Sequence, residues 1–94
     1  TSNISVENQD FNASLNVFPN PSDGNFSISL KMSKVSASEI EIFNILGNKV
    51  FDERIDNQEY YQKNLDFEDY PSGIYLLKFS SKYQVLNKRI IISK

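Results

Sequence analysis

The sequence predicts an all-β fold, a seven-stranded antiparallel β-sandwich, and three observations carry that expectation. The apolar residues are mostly β-branched and aromatic, with 10 Ile, 7 Phe and 5 Tyr against 2 Ala. Such side chains suit a pleated surface, whereas Ala is the best helix former. Period-two alternation recurs roughly every 8–14 residues, broken each time by Pro, Gly, Asn, Asp or Ser. No amphipathic stretch of helical period separates any two of these runs, so a parallel sheet has no crossover helix to use. At 94 residues and 39% hydrophobic content, one core is attainable, since a chain of this mass buries about two-thirds of its unfolded surface.

Residues 1–14 are polar, with Ile4, Val6 and Phe11 as their large apolar side chains. They read as a linker, with room for a short edge strand at its end, ahead of one domain over 15–94. The first firm strand is Leu15 to Phe18, ended by Pro19-Asn20-Pro21; proline lacks an N–H and biases its predecessor to extended backbone. Ser22-Asp23-Gly24-Asn25 has turn chemistry, with Gly24 free to take a positive φ. Phe26, Ile28, Leu30 and Met32 then alternate with Ser27, Ser29 and Lys31, a strand with one buried face.

After a small, polar connection over 33–38, Ile40 and Ile42 alternate with Glu39 and Glu41. Leu46-Gly47-Asn48 turns the chain, and Lys49 to Ile55 returns. An even loop sets Ile42 opposite Phe51 and Glu39 opposite Arg54, whereas an odd one opposes Glu41 and Glu53; cross-strand pairing favours the even register. Tyr60 to Leu65 is a further strand. Pro71-Ser72-Gly73 reads as a β-turn. Ile74 to Phe79 is apolar on both faces, which places it centrally in its sheet. Ser80-Ser81-Lys82 turns into a last strand, Tyr83 to Ser93. Seven strands at this spacing match an immunoglobulin-like sandwich.

Composition excludes much chemistry. With 0 Cys and 0 His the chain has no thiolate nucleophile, imidazole base or zinc-finger-type site, and no disulfide scaffold. Its 10 basic and 12 acidic residues give a net charge of −2 with no basic tract, which argues against nucleic acid as a partner. The longest aliphatic run, Ile90-Ile91-Ile92, is far short of the roughly 18 residues of a membrane span. The sequence calls for no enzyme activity, cofactor or metal. Glu39 and Glu41 share a strand face opposite Ile40 and Ile42, so they read as solvated rather than as an acid–base pair. Asp23 fails the calcium-loop spacing and reads as a turn residue. Tyr60, Tyr61, Tyr70 and Tyr83 raise a sugar-stacking platform, the basis of an alternative reading as a carbohydrate-binding or adhesive module.

Three segments carry a more specific signal: Val17-Phe18-Pro19-Asn20-Pro21 followed by Gly24 and Phe26; Ile40 through Val50; and Tyr70-Pro71-Ser72-Gly73-Ile74-Tyr75-Leu76-Leu77-Lys78, closed by Lys88 to Lys94. In this order the chain resembles the C-terminal sorting domain, type A, of the type IX secretion system on exported proteins of Bacteroidetes. Two departures are small: Tyr70 stands where Leu is commoner in the family, and Asn44 where Asp is common.

The resemblance implies a non-catalytic secretion signal that directs an attached cargo across the outer membrane. Its implied partners are the outer-membrane translocon and shuttle protein of that system, a cell-surface sortase, and a cargo domain ahead of it. The implied destination is the cell surface or extracellular space, by way of the periplasm. Starting at Thr1 with Met32 as its one methionine, the chain is expected to be a piece of a longer protein, cut within residues 1–14, with Lys94 as a true terminus. Pro19, Asn20, Pro21, Gly24, Gly47, Pro71, Gly73 and Tyr75 match motif positions and are expected to serve the fold and its turns. Lys88, Arg89 and Lys94, beside the last strand, are expected to contact the translocon.

Overall fold

A computed structural model describes residues 12–56 and 58–94. It contains seven strands: β1 Ala13–Phe18, β2 Asn25–Met32, β3 Ser38–Phe43, β4 Lys49–Ile55, β5 Tyr60–Asp66, β6 Gly73–Ser81 and β7 Val85–Ile92. They form two antiparallel sheets, one ordered β1-β2-β5 and the other β4-β3-β6-β7. The expected all-β sandwich is the observed one. Its fourth strand pairs with β3, whereas an immunoglobulin constant domain places that strand in the opposite sheet. The tight β3–β4 hairpin accounts for this, since a short turn leaves β4 no route to the other layer.

The alternation read from the sequence is the burial pattern of the strands. Phe26, Ile28, Leu30 and Met32 of β2 face Ile40 and Ile42 of β3 and Tyr75, Leu77 and Phe79 of β6, all buried. Each such side chain contributes about 1.5–3 kcal/mol on burial. A one-residue slip would turn a whole strand's apolar set to water, so this term fixes the register. The loop itself, residues 44–48, is odd rather than even, and a bulge between Ile42 and Phe43 shifts the register so that Phe43 faces Lys49. Ile42 nevertheless stands opposite Phe51 and Glu39 opposite Arg54, the pairs expected of an even loop. That register also opposes Glu41 and Asp52, and Lys49 relieves the like charges, 3.3 Å from Glu41 and 3.0 Å from Asp52. Asp52 first and Glu41 second hold the Lys49 ammonium above its ordinary pKa.

Several boundaries differ from expectation, among them the end of β6, which runs through Ser80 and Ser81 because both pair with β3. β1 begins at Ala13, two residues early, because its pairing with β2 extends to Ala13 opposite Met32. β7 begins at Val85, since the Ser81 hydroxyl accepts the amides of Tyr83 and Gln84 at 3.1 and 3.0 Å and holds both in a turn. Between β5 and β6 the hydrogen-bonded turn is Phe67–Tyr70, with the Tyr70 amide donating to the Phe67 carbonyl at 2.9 Å; Pro71 and Ser72 lead out of it. β6 is central, as expected, but Ile74 and Leu76 on its outer face are 48% and 45% exposed. One flank of the sandwich is closed between sheets by Tyr61 of β5, whose hydroxyl donates to Glu53 of β4 at 2.6 Å, with Lys63 3.7 Å from the same carboxylate.

Candidate functional site

The three motif segments meet at one end of the sandwich. The β1–β2 connection comes first. Peptide bonds before Pro19 and Pro21 are cis, and Asn20 between them lies against the outer edge of β7. Its Oδ1 accepts the Ile91 amide at 2.9 Å and its Nδ2 donates to the Arg89 carbonyl at 2.7 Å. Two residues on, the Ser22 amide donates to Ile91 O at 2.9 Å, and the Ser93 amide to Ser22 O at 2.8 Å. Segment 20–22 thus adds a short parallel bridge and covers an edge that would otherwise be open. Asp23 Oδ1 then accepts the Asn25 amide at 3.2 Å, closing the turn. Gly24 takes a φ of +120° and lies so near the β5–β6 loop that a Cβ there would stand 3.2 Å from Glu68 Cα.

Asn44 organises the β3–β4 turn. Its Oδ1 accepts the amides of Leu46 and Asn48 at 3.0 and 2.9 Å, and its carbonyl accepts the Gly47 amide at 2.9 Å. Only the acceptor oxygen of the side chain is used, so Asp at this position would serve the turn equally. Gly47 has a φ of +89°, a conformation costly for side-chain-bearing residues. The turn pushes Ile45 and Leu46 into solvent, each 81% exposed.

The β5–β6 loop is built on aromatic rings. Phe67 packs edge-on against Phe26 and Tyr75, with centroids 5.1 and 5.7 Å away, and 4.7 Å from Tyr70. The Tyr75 hydroxyl reaches back to the Pro71 carbonyl at 2.7 Å, and burial first, then the neighbouring Tyr70, raises its pKa. On the other side, the Lys94 ammonium donates to the carbonyls of Glu68 and Tyr70, and its amide donates to Ser72 Oγ at 3.2 Å. Between this loop and the β3–β4 turn lies an apolar groove of about 430 Å³, walled by Ile45, Leu46, Val50, Tyr70 and Ile74. Its lining suits an apolar side chain and holds no nucleophile paired with a base.

The expected residues therefore divide. Pro19, Asn20, Pro21, Gly24, Gly47, Pro71, Gly73 and Tyr75 all lie at this end. Lys88 and Arg89 are exposed on β7, while Lys94 has its charged end folded onto loop carbonyls. Tyr61 is buried, Tyr60 stands on the three-stranded sheet, and Tyr83 sits on the β6–β7 turn of the other sheet. Glu39 lies across from Arg54, and Glu41 pairs with Lys49. Among the described residues no three acids gather as metal ligands, and no helix is long and apolar enough to cross a membrane. The sequence reading placed Ser22, Asn44 and Ser72 in turn or motif segments but missed their bonding roles at this end, and it gave Glu68 no role there. Asn44 carried a usable signal, an Asn three residues before a Gly in a hairpin turn.

The three motif segments thus gather at one end of a small sandwich, and the comparisons name its kind. The profile of the family described as a secretion system C-terminal sorting domain matches residues 16–93. An ulvan lyase, NLR42, of Nonlabens ulvanivorans is 31% identical over 91 residues, covering 96% of this chain. The chain spans 16% of that relative's length. The chain belongs to the secretion system C-terminal sorting domain family. It is a sorting signal of the type IX secretion system, not itself a catalytic unit, and such a signal marks its protein for the cell surface or extracellular space.

Proposed function

We propose that residues 15–94 form the element that the outer-membrane translocon and shuttle protein read to export a cargo preceding it. In this reading residues 1–14 are the linker at which a surface sortase separates tail from cargo. Any catalysis, as in the ulvan lyase that carries a similar stretch, resides in the cargo. The observation supporting this most directly is that segments around Pro19, Asn44 and Pro71 converge on the end where β7 finishes, leaving Lys88 and Arg89 exposed beside them.

Within this reading the three cations divide. Lys88 and Arg89 are the contacts with the export machinery, whereas the Lys94 ammonium secures the β5–β6 loop. The test fuses these 94 residues to a periplasmic reporter in cells with and without a working translocon. Export that depends on the translocon is expected, and it should fall in a Lys88→Glu, Arg89→Glu variant whose Tm is unchanged. Lys94→Met should instead lower Tm by a few degrees, the effect of about 1 kcal/mol. Reporter retained in the periplasm of translocon-competent cells would sink the proposal.

A further inference from the structure

The edge of β7 that faces away from β6 presents the backbone groups of its odd-numbered residues. Four of those groups are filled by one short segment: the Arg89 carbonyl and Ile91 amide by the two ends of the Asn20 carboxamide, and the Ile91 carbonyl and Ser93 amide by the Ser22 backbone. A carboxamide is suited to this because it carries a donor and an acceptor side by side. Aspartate keeps the acceptor but would face the Arg89 carbonyl with a second oxygen, and serine has one oxygen where two atoms are used. Pro19 and Pro21 flank Asn20 without backbone N–H donors of their own.

Every one of these contacts is made to the backbone of β7 and none to its side chains. The latch therefore fixes where the strand lies without consuming Lys88 or Arg89. It also fixes the register of the strand end: with Asn20 on 89 and 91, Ser22 falls on 91 and 93, and Lys94 arrives where its amide reaches Ser72 Oγ. β7 is an edge strand held by β6 on one side only, and an open edge needs another element to cover it.

We propose that Asn20 is the positioning residue of the sorting signal, latching the last strand by its backbone so that the side chains of β7 are presented in one fixed register to the export machinery. This rests on the sorting role of β7 proposed above. Recognition then depends on the first and last segments of the domain together, with Asn20 outside the contact itself.

The test compares three forms of the 94-residue tail, free for amide exchange and fused to a periplasmic reporter for export: unmodified, Asn20→Asp, and Ile40→Val, a core trim remote from the latch. With Asn20→Asp, exchange at the Ile91 and Ser93 amides should rise on the order of tenfold more than at the core amides of β2 and β3, and export should fall several-fold. Ile40→Val should lower Tm comparably and export normally. Undiminished export of Asn20→Asp overturns the inference, as does an equal export loss in Ile40→Val, which would make the latch a contributor to stability only. Should Asn20→Asp fail to fold, Asn20→Ala, which removes both bonds without adding a repulsion, carries the same comparison. Failure of the unmodified tail to export its reporter would overturn the sorting reading beneath it instead.

Discussion

The two ends of the sandwich are closed by different means. At the motif end, segments far apart in sequence bond to each other's backbones: Asn20 to residues 89 and 91, Ser22 to 91 and 93, Lys94 to the carbonyls of Glu68 and Tyr70. At the opposite end, Ser81 ties its own turn through Tyr83 and Gln84. There too backbone bonds join distant segments, Ser33 to Asn12 at 2.8 Å and Met32 to Glu59 at 2.7 Å, and Lys34 lies over the Tyr83 ring, 4.7 Å from its centroid. Hydrogen bonds to backbone impose distance and direction together, whereas an exposed cation–π contact tolerates wide variation in both. Among the described residues the motif end carries the larger set of bonds between distant segments, including side chains of Asn20 and Lys94 aimed at backbone groups, as a surface read by a partner requires.

Glycine substitutions test that contrast most sharply. Gly24→Ala meets two penalties: a φ of +120° that side-chain-bearing residues rarely adopt, and a Cβ 3.2 Å from Glu68 Cα. Together these should cost about 3 kcal/mol, lowering Tm by on the order of 15 °C in thermal denaturation. Gly47→Ala has a φ of +89° but nothing within 4 Å of its Cβ, so strain alone, about 1 kcal/mol, applies. Equal losses for the two would show that the close approach of Gly24 to the β5–β6 loop contributes nothing.

The same contrast explains what could be read from the sequence. Strands were legible because their side chains alternate: Phe26 through Met32 and Tyr75 through Phe79 declare a buried face without any tertiary information. The β3–β4 pairing was legible from Ile42 against Phe51 and Glu39 against Arg54, not from like-charge avoidance, since the observed register opposes Glu41 and Asp52. The bulge after Ile42 left no sequence trace. The motif residues were found as members of a resemblance, but their physical roles were not, since a bond from Asn20 to residue 91 crosses 71 positions and leaves no periodic trace. The local bonds of Lys94 left no sequence trace for the same reason, since only the fold places the carbonyls of Glu68 and Tyr70 beside its ammonium.

An intermediate effect is expected at the flank closed by Tyr61. Burial first, and the hydrogen bond to Glu53 second, push its hydroxyl above the ordinary tyrosine pKa of 10.0. The folded state therefore favours the neutral phenol. Its stabilisation is complete below about pH 10, and as pH rises further the unfolded chain releases the proton first, so stability falls. Near neutrality Tyr61→Phe should cost about 1 kcal/mol, the worth of the lost bond. Above about pH 10 the variant and the parent should converge, because the variant lacks that alkaline loss. Urea midpoints measured across this range decide it; parallel curves would mean that folding does not raise the Tyr61 pKa. Part of the alkaline slope should persist in the variant, since Tyr75 is raised as well.

The smallest effect belongs to the opposite end. Tyr83 is 47% exposed, with Lys34 4.7 Å and Lys82 5.8 Å from its ring centroid. Cation–π contacts in such settings contribute about 0.5–1 kcal/mol, and solvent exposure favours the lower figure. Tyr83→Leu should therefore shift Tm by only a few degrees, and a double-mutant cycle with Lys34→Ala should return a coupling of about 0.5 kcal/mol. Export of a fused reporter should be unchanged, because nothing at this end fixes the position of β7's last residues. If Tyr83→Leu lowered export as far as substitutions at Asn20 do, the two ends would be functionally equivalent. Convergence of the motif segments would then reflect the needs of folding alone.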